Sequence, residues 1–440
     1  MCEGSTGSRL GGSHMRTAFL SVVVLVSALA PPLAAEDPPP TLFQSDMSLM
    51  AGMTAEDTMA GMAMPRWSFM DLGVFRFGYN RQGGPSGDTA VESSNWNMAM
   101  AQRDLGGGRL TLMLMNSLEP ATFPQAGSPH LFQTGESLHG RPLVDRQHPH
   151  DFFMNISATW RHSLGESGAW WVQAAPVGEP ALGPVAFMHR ASAGENPTSP
   201  LGHHWQDSTH IANSVITLGG GWRGVSVEAS TFHGREPDEH RWNIDGGAPD
   251  SFSGRVKLRL PARWSAQVSY GFLKSPEELV PGNTHRTTVS LHYGSAGDGP
   301  LAATLLWGRN REEHGTSDAL LAEGAWQWSA HDQVYARAER VEKPFELLLT
   351  KSEPEAGHSG ADALATVSSF TVGYFRGVEL RREWGLNAGL GADLSLYGVP
   401  EALKAAYGDS PVSVHAFLRV RWGKPHGADH AGHMGHRMTR

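Results

Sequence analysis

Strict alternation of apolar with polar or small residues is the feature that most constrains how this chain of 440 residues can fold. From Leu386 to Leu396, apolar side chains stand at every second position, with Asn, Gly, Asp and Ser between them. The same period of two recurs in 264–272 and in 412–422. This period predicts β-strands with one apolar face and one polar face, rather than helices.

About sixteen such segments follow one another, and the connections between them alternate between short and long. The long connections lie at 81–93, 118–150, 178–210, 234–250, 275–283, 344–364 and 398–410. Strands of about ten residues with this alternation of connections are typical of a transmembrane antiparallel β-barrel. The sequence therefore predicts an all-β barrel of about 16 strands, with short periplasmic turns and long His-rich extracellular loops.

The composition is compatible with a barrel and excludes other classes. Net charge is −9, which gives no electrostatic basis for binding nucleic acid. The single cysteine, Cys2, excludes a disulfide framework and a cysteine-based zinc site. A secreted β-sandwich or propeller is the alternative fold, but the face opposite the apolar one is polar and no repeat of blade length is present.

The N-terminal region has the pattern of an export signal. A short apolar run, Ala18–Ala30, follows Arg16 and is ended by Pro31. This pattern predicts a signal peptide over 1–35, with Met15 as a plausible true start, and a membrane anchor is the alternative. The predicted organisation is then a Met-rich periplasmic segment at 36–66, a barrel at 67–422 and a His-rich tail at 423–440. This organisation predicts the outer membrane of a Gram-negative cell as the location.

The segment after the signal peptide is rich in methionine. The methionines are Met47, Met50, Met53, Met59, Met62 and Met64. Thioethers are soft and uncharged, so they favour Cu(I) or Ag(I), and spacings of two and three residues let a flexible segment bring several sulfurs to one ion. Packing of an amphipathic helix or plug is the alternative interpretation.

Histidines form two further candidate metal sites. His430, His433 and His436 stand among Gly and Ala in the tail, a tract that binds metal without a preformed fold. The predicted loop ligands are His148, His150, Asp151, His189, His203, His204, Asp207 and His210. Imidazoles combined with a carboxylate suit Cu(II), zinc or non-haem iron. An affinity-like tail and hydrogen bonds that order long loops are the alternatives.

Charged residues are also predicted inside the barrel. Arg255, Lys257 and Arg259 share one inward face, and Glu228 lies inward on the preceding strand. Opposed charges across a lumen produce a selectivity constriction, whereas paired charges stiffen a filled barrel. The sequence leaves both interpretations open.

A signal peptide, MxxMxxM spacing and a following barrel together resemble the copper resistance protein B family. The matching residues are Met47, Met50 and Met53, followed by Met59, Met62 and Met64. The resemblance covers the architecture and some twenty N-terminal residues. It implies binding or export of copper in the periplasm and outer membrane. The His-rich loops and the tail beyond Trp422 depart from that pattern.

The leading functional prediction is a non-enzymatic outer-membrane barrel that handles a metal, with a copper ion as the only expected cofactor. Its expected partners are outer-membrane lipid, a metal ion or small solute and further copies of the chain in a homo-oligomer, but no nucleic acid. A passive porin for small solutes, with the His/Asp loops as a constriction, is the alternative. A metalloenzyme is a third hypothesis, but the sequence has neither an HExxH nor a GxSxG motif.

Overall fold

The computed structural model describes residues 66–165, 167–279, 282–295, 299–313, 315–349 and 363–423. Within these ranges sixteen strands form a closed antiparallel barrel, which confirms the predicted fold class and strand number. The barrel strands are β1 (Ser68–Arg81), β2 (Thr89–Leu105), β3 (Gly108–Asn116), β6 (Phe153–Leu164), β7 (Gly168–Gly178), β8 (Ala212–Trp222), β9 (Val225–His233), β10 (Ser251–Arg259), β11 (Trp264–Leu273), β12 (Thr284–Tyr293), β13 (Leu301–Glu312), β14 (Gly315–Gln327), β15 (Asp332–Pro344), β16 (Leu364–Arg381), β17 (Leu386–Gly398) and β18 (Val412–Trp422). A separate hairpin contains β4 (Ser128–Leu138) and β5 (Arg141–Gln147).

Barrel strands pair with their neighbours along the chain, with two exceptions. β3 pairs with β6 because the β4–β5 hairpin is inserted between them, and β1 closes the barrel by pairing with β18. At this closure Gly73 lies opposite Trp422 and Tyr79 lies opposite Ala416. Closure leaves the barrel sheet without an unpaired edge.

The two faces of each strand differ as the alternation predicts. On β11, Val268 and Tyr270 are exposed on the outside, whereas Gln267 and Ser269 are buried on the inside. On β17, Leu390 is exposed and Asp393 is buried. The barrel therefore has an apolar outer surface and a polar lumen, the arrangement that a membrane-spanning barrel requires.

Short turns and long connections lie at opposite ends of the barrel. Gly106 and Gly107 make the β2–β3 turn with φ of +62° and +77°, a left-handed conformation that glycine adopts without strain. The long connections contain the helices α1 (Glu119–Thr122), α2 (His203–Gln206), α3 (Phe345–Leu349) and α4 (Lys404–Tyr407). They also contain the 3₁₀ turns Phe187–His189, Ser208–His210 and Glu401–Leu403, and the β16–β17 turn contains Arg382–Trp384. None of the helices in the described ranges is long and apolar enough to cross a membrane.

The β4–β5 hairpin is an element that the alternation did not predict. It lies in the connection between β3 and β6, with Ser128 opposite Gln147 and Leu138 opposite Arg141. The first seven residues of β4 are all buried, so both of its faces are covered. A strand that is buried on both faces has no two-sided pattern, which explains why the period of two is missing here.

The connection between β7 and β8, residues 179–211, lies inside the barrel and is called here the inserted segment. Its backbone N–H of Ala181 donates to Ser230 Oγ on β9 at 2.8 Å. On the opposite side, the N–H of Leu201 donates to Glu339 Oε1 on β15 at 2.7 Å. Glu195 pairs with Arg419 on β18. The inserted segment therefore crosses the lumen and is anchored to several walls.

An apolar cluster covers the inserted segment at the mouth that carries the long connections. Its buried members are Leu131, Phe132, Val144, Leu201, Trp205, Ala319, Val341, Phe345, Leu348, Ala365, Val367, Tyr397, Leu403 and Tyr407. Phe132 of the hairpin stacks on Tyr407 with ring centroids 4.2 Å apart. Trp205 of the inserted segment donates its Nε1–H to Ser317 Oγ at 2.7 Å. We call this set the apolar cap, and it fixes the hairpin and inserted segment to each other.

Candidate metal centre

Five histidines lie together beneath the long-connection mouth, and all five belong to the predicted loop ligands. His148 and His150 follow the hairpin, and His203, His204 and His210 belong to the inserted segment. The ring centroids are 6.3 Å apart for His148–His150, 6.2 Å for His148–His204 and 5.4 Å for His203–His204. We call this group the histidine cluster.

All five rings of the histidine cluster have an oxygen beside Nδ1: the Pro149 carbonyl for His148 and the Glu236 carboxylate for His204, and the following acceptors for the other three. His150 Nδ1 lies 2.7 Å from Glu119 Oε2, and His203 Nδ1 lies 2.7 Å from Asp207 Oδ1. His210 Nδ1 lies 2.9 Å from the carbonyl oxygen of Asp207. In the neutral rings these acceptors favour a proton on Nδ1, which leaves the Nε2 lone pair for a metal. Oxygen acceptors on the far nitrogen are the usual support of metal-binding histidines.

The Nε2 atoms of His150 and His210 are buried and have no hydrogen-bond partner among the described residues. The two ring centroids are 5.4 Å apart, and His203 lies 5.3 Å from His210. Metal–nitrogen bonds of about 2.0–2.1 Å in tetrahedral geometry place imidazole centroids about 5 Å apart. The His150–His210 and His203–His210 centroid spacings are near this value, so each of these pairs can share an ion, but the nitrogens of all three rings do not lie within 4.8 Å of one another.

Burial and neighbouring charges shift the pKa values of these rings in different directions. Burial lowers the pKa of His203, and burial with the neighbouring imidazoles holds the pKa of His210 well below its usual range. Burial also acts to lower the pKa of His150, but the Glu119 carboxylate outweighs it and raises that pKa. His203 and His210 are therefore neutral at neutral pH, the state that binds metal.

A second donor set lies next to the three rings. His204, Glu236 and Glu277 each offer a ligand atom within 4.8 Å of the others. Burial and the nearby Glu236 carboxylate raise the pKa of Glu277 to about 8. Burial opposes ionisation of Glu236 as well, but the His204 imidazole lowers its pKa. Two buried carboxylates side by side need a proton or a cation between them, so this set also suits a metal ion.

Two predicted ligands instead take part in ion pairs around the histidine cluster. Asp151 Oδ1 lies 3.1 Å from Arg241 Nη1, and Arg241 also pairs with Glu136. Burial raises the pKa of Asp151 to about 7. Asp207 Oδ2 accepts from Arg190 Nη1 at 2.5 Å, while its other oxygen meets His203. Asp207 is therefore placed to orient His203 and not to replace it as a ligand.

His148 and His189 have different surroundings. His148 Nε2 lies 2.8 Å from Glu136 Oε1. The equivalent nitrogen of His150 has no hydrogen-bond partner among the described residues, so the two rings differ in which atom is left unpaired. His189 lies apart from the histidine cluster, edge-on to Trp96 with ring centroids 4.7 Å apart. His189 therefore packs against β2, and it lines a cavity that also reaches His210.

The predicted lumen charges lie on β9 and β10. Glu228 Oε2 lies 2.9 Å from Arg255 Nε and 3.1 Å from Lys257 Nζ. Arg255 also reaches Glu179 Oε1 of the inserted segment at 3.1 Å. Arg259 ends β10 near the short turns and, with Arg255 and Lys257, lines a cavity of about 280 Å³. These charges therefore tie the inserted segment to the wall and border a basic cavity.

The two terminal candidate sites lie outside the described residues. They are Met47, Met50, Met53, Met59, Met62 and Met64, with His430, His433 and His436. Both remain predictions from the sequence.

Glu119 and Glu277 were not among the predicted ligands, although both contact the histidine cluster. Each lies in a long connection at the same end of the barrel as the histidines. Their position in long connections at this end of the barrel could have marked them as candidate partners of the histidines. The sequence does not show which carboxylate contacts which imidazole, because strand periodicity does not determine the paths of the loops.

No family model matches the sequence, and no curated protein matches it. Solved structures of outer-membrane porins do resemble it. An anion-selective porin from Comamonas acidovorans matches with a TM-score of 0.51 and 13% identity, over 81% of this chain and 100% of the porin. OprB of Pseudomonas putida matches with a TM-score of 0.51 and 12% identity, over 87% of this chain and 99% of OprB. At these identities the likeness concerns the fold, and the chain has the closed β-barrel architecture of these porins.

Proposed function

We propose that this chain is an outer-membrane β-barrel that binds copper inside its lumen, at the histidine cluster. One observation carries the proposal: the buried Nε2 atoms of His150 and His210 have no hydrogen-bond partner among the described residues and lie beside the His203 ring. Leaving such polar atoms buried and unpaired destabilises a fold, whereas a bound metal ion satisfies them.

The outer surface supports placement in a membrane. Outward side chains such as Val268 and Leu390 are 51% and 67% exposed on the isolated barrel. An apolar belt of this kind is unfavourable in water and favourable in lipid. In this proposal the signal peptide at 1–35 directs export, the short turns are periplasmic and the long connections are extracellular. The chain acts as a binding or transport protein and not as an enzyme.

Copper is the metal that the donor set favours. Imidazole nitrogens bind both Cu(II) and Zn(II), and Cu(II) is bound more strongly at most nitrogen sites. The resemblance of Met47–Met64 to the N-terminal segment of the copper resistance protein B family supports the same metal. Glu119 and Asp207 would keep the rings in the tautomer that binds the ion.

The test is a Cu(II) titration of the full-length mature protein, purified in detergent and followed by electron paramagnetic resonance. We expect nitrogen hyperfine structure from the cluster. The double variant His150→Gln/His210→Gln should bind Cu(II) there about 100-fold more weakly or worse, because it removes the two buried imidazole nitrogens that have no hydrogen-bond partner among the described residues. His292→Gln is the matched control, since His292 faces the lumen on β12 and contacts Ser290 and Thr304. An unchanged spectrum and affinity in the double variant refutes the proposal.

A passive pore for small anions is the second candidate. The observation that favours it is the basic cavity of about 280 Å³ bordered by Arg255, Lys257 and Arg259. Planar-bilayer recording separates the candidates: a large conductance that Cu(II) does not change favours the passive pore. A small conductance that Cu(II) alters favours a metal-binding barrel, because the histidine cluster belongs to the inserted segment that crosses the lumen.

A further inference from the structure

Every methionine in the described residues lies in one cluster on the inside of the barrel. The seven are Met70, Met98, Met100, Met113, Met115, Met154 and Met188. Met98, Met115 and Met154 are between 0% and 2% exposed. None of these residues belongs to the Met-rich N-terminal segment. We call the group the methionine face.

Strand register explains how the methionine face forms. Met100 on β2 lies opposite Met70 on β1 and opposite Met113 on β3, and Met98 lies opposite Met115. Residues directly opposite each other in antiparallel strands point to the same side of the sheet, with Cβ atoms about 4.5–5.5 Å apart. The thioethers are therefore neighbours across three strands.

A cavity of about 140 Å³ lies against the methionine face. Met100, Met113, Met115 and Met154 line it, together with His189 and His210. His210 belongs to the histidine cluster, and its Nε2 is a buried atom without a hydrogen-bond partner among the described residues. The cavity therefore connects four thioethers with an imidazole of the candidate metal centre.

The charges around the cavity permit a cation. Arg161 and Lys257 line it with positive charge, and Glu179 and Glu228 line it with negative charge. These four side chains balance one another, so no formal net charge repels a monovalent ion. The thioethers themselves carry no charge, which disfavours hard divalent cations such as Mg²⁺ or Ca²⁺.

Packing alone explains the methionine face less well. Methionine does fill irregular cores, but a core built for packing closes its gaps. Here a space larger than several water molecules remains beside the sulfurs and an unpaired ring nitrogen. Inward positions elsewhere on the barrel, such as Ser269, Thr288 and Ser290, are polar. On the methionine face, thioether sulfurs take the place of the hydroxyl oxygens found elsewhere in the lumen, so this part of the wall offers soft ligands instead of hard ones.

We propose that the methionine face is a second metal site, which binds a soft monovalent cation, Cu(I) or Ag(I), between the thioethers of Met100, Met113 and Met115 and the imidazole of His210. This inference rests on the proposed function, because His210 belongs to both sites and its single Nε2 lone pair binds one ion at a time, either at the soft site or at the histidine cluster. Thioether sulfur selects Cu(I) among the biologically common ions, and Ag(I) has the same preference. Together the ligands of the two sites extend from the methionine face, through His210, to the histidine cluster beneath the long-connection mouth.

The test uses Ag(I) as the probe and the full-length mature chain as the protein, so the N-terminal methionines remain the same in every variant. We compare wild type with Met100→Leu/Met113→Leu/Met115→Leu, in which leucine conserves volume and hydrophobicity. The triple variant should lose one equivalent of bound Ag(I), or bind it at least about 100-fold more weakly. Met98→Leu is the matched control, because Met98 has the same strand, face and burial but does not line the cavity. It should keep wild-type binding.

A second readout identifies the ligands directly. With methionine methyl groups labelled for NMR, Ag(I) should shift the Met100, Met113 and Met115 resonances and leave Met70 almost unchanged. The single variant Met113→Leu, at a half-buried position, gives the same comparison if the triple variant folds poorly. Equal Ag(I) stoichiometry and affinity in wild type and variants, or shifts confined to N-terminal methionines, overturns the inference.

The test of the methionine site and the test of the proposed function can give different results, because they follow different ions at different ligands. Cu(II) hyperfine structure from the histidine cluster should persist in the triple methionine variant, since none of its three residues is a nitrogen ligand. Loss of Ag(I) binding with retained Cu(II) binding supports the methionine site. Ag(I) binding at the methionine face without Cu(II) binding at His150 and His210 refutes the proposed function and leaves the soft site standing.

Discussion

Arg190 gives the sharpest test of how the inserted segment is held inside the barrel. Its Nη1 lies 2.5 Å from Asp207 Oδ2, and its Nε lies 2.6 Å from Glu323 Oε1 on β14. The side chains of Arg190, Asp207 and Glu323 are 2%, 0% and 1% exposed. Replacing Arg190 with methionine retains much of the volume but leaves two buried carboxylates without this guanidinium.

Removing one partner from a buried ion pair costs about 3–5 kcal/mol, because the remaining charge stays desolvated. Arg337 still contacts Glu323 at 3.0 Å, so most of the loss should come from Asp207. We therefore expect Arg190→Met to lower the free energy of unfolding by about 3–5 kcal/mol. At about 1.4 kcal/mol per factor of ten, this is a hundred- to several thousand-fold change in the folding equilibrium.

The measurement is urea unfolding of the barrel in lipid vesicles, followed by tryptophan fluorescence. Arg309→Met is the matched control, because Arg309 Nη2 lies 2.8 Å from Asp318 Oδ2 in a pair on the outside of the barrel, with the two side chains 46% and 26% exposed. Exposed pairs contribute little to stability, so this variant should remain close to wild type. If Arg190→Met loses no more stability than Arg309→Met, buried charge is not what anchors the inserted segment and the reasoning fails.

Three further predictions concern the lipid face, the apolar cap and the metal centre. Val268→Arg should destabilise the barrel in bilayers by about 2–4 kcal/mol if this outward position lies near the midplane, whereas Val268→Leu should have little effect in the same unfolding assay. Trp205→Ala should cost about 3–5 kcal/mol, because it leaves a cavity in the apolar cap, and limited proteolysis should then cut the long connections faster than in wild type. Glu119→Gln should weaken Cu(II) binding by about 10–100-fold, because Nδ1 of His150 loses its charged acceptor, and an unchanged affinity by titration calorimetry would contradict the assigned role.

Strand periodicity was sufficient to predict the barrel. The predicted segment 263–274 corresponds to β11, Trp264–Leu273, and the predicted segment 411–422 corresponds to β18, Val412–Trp422. Each barrel strand has one side chain pointing to the apolar outside and the next pointing to the polar lumen. Every strand therefore has the same two-residue period and can be recognised by itself.

The contents of the lumen could not be predicted in this way. Ser128–Thr134 of the hairpin are buried on both faces, and the inserted segment contains only short helices and 3₁₀ turns, so neither has a periodic pattern. The residue types of the candidate metal centre were visible in the sequence. The pairing of His150 with Glu119 depends on how two irregular stretches of one connection meet, and no local rule determines it.

The methionine face illustrates a different limit. Methionines on β1, β2 and β3 are ordinary core residues when each strand is considered alone. Only the register, which sets Met70, Met100 and Met113 in one row, brings the sulfurs together. A group of ligands that comes from several strands can be recognised only when the strand pairing is known.

The seam between β1 and β18 has a consequence for the order of assembly. Other pairings in the barrel join strands that follow one another, apart from the detour around the hairpin, whereas the seam joins Gly73 to Trp422. Each doubling of a closed loop adds about 0.6 kcal/mol of chain entropy, so a seam roughly four doublings longer than a hairpin costs only about 2.5 kcal/mol more. Nearly all of the wall can therefore form by local steps as the chain is delivered. Only the pairing of the last strand, Val412–Trp422, with β1 converts an open sheet with two unpaired edges into a closed barrel.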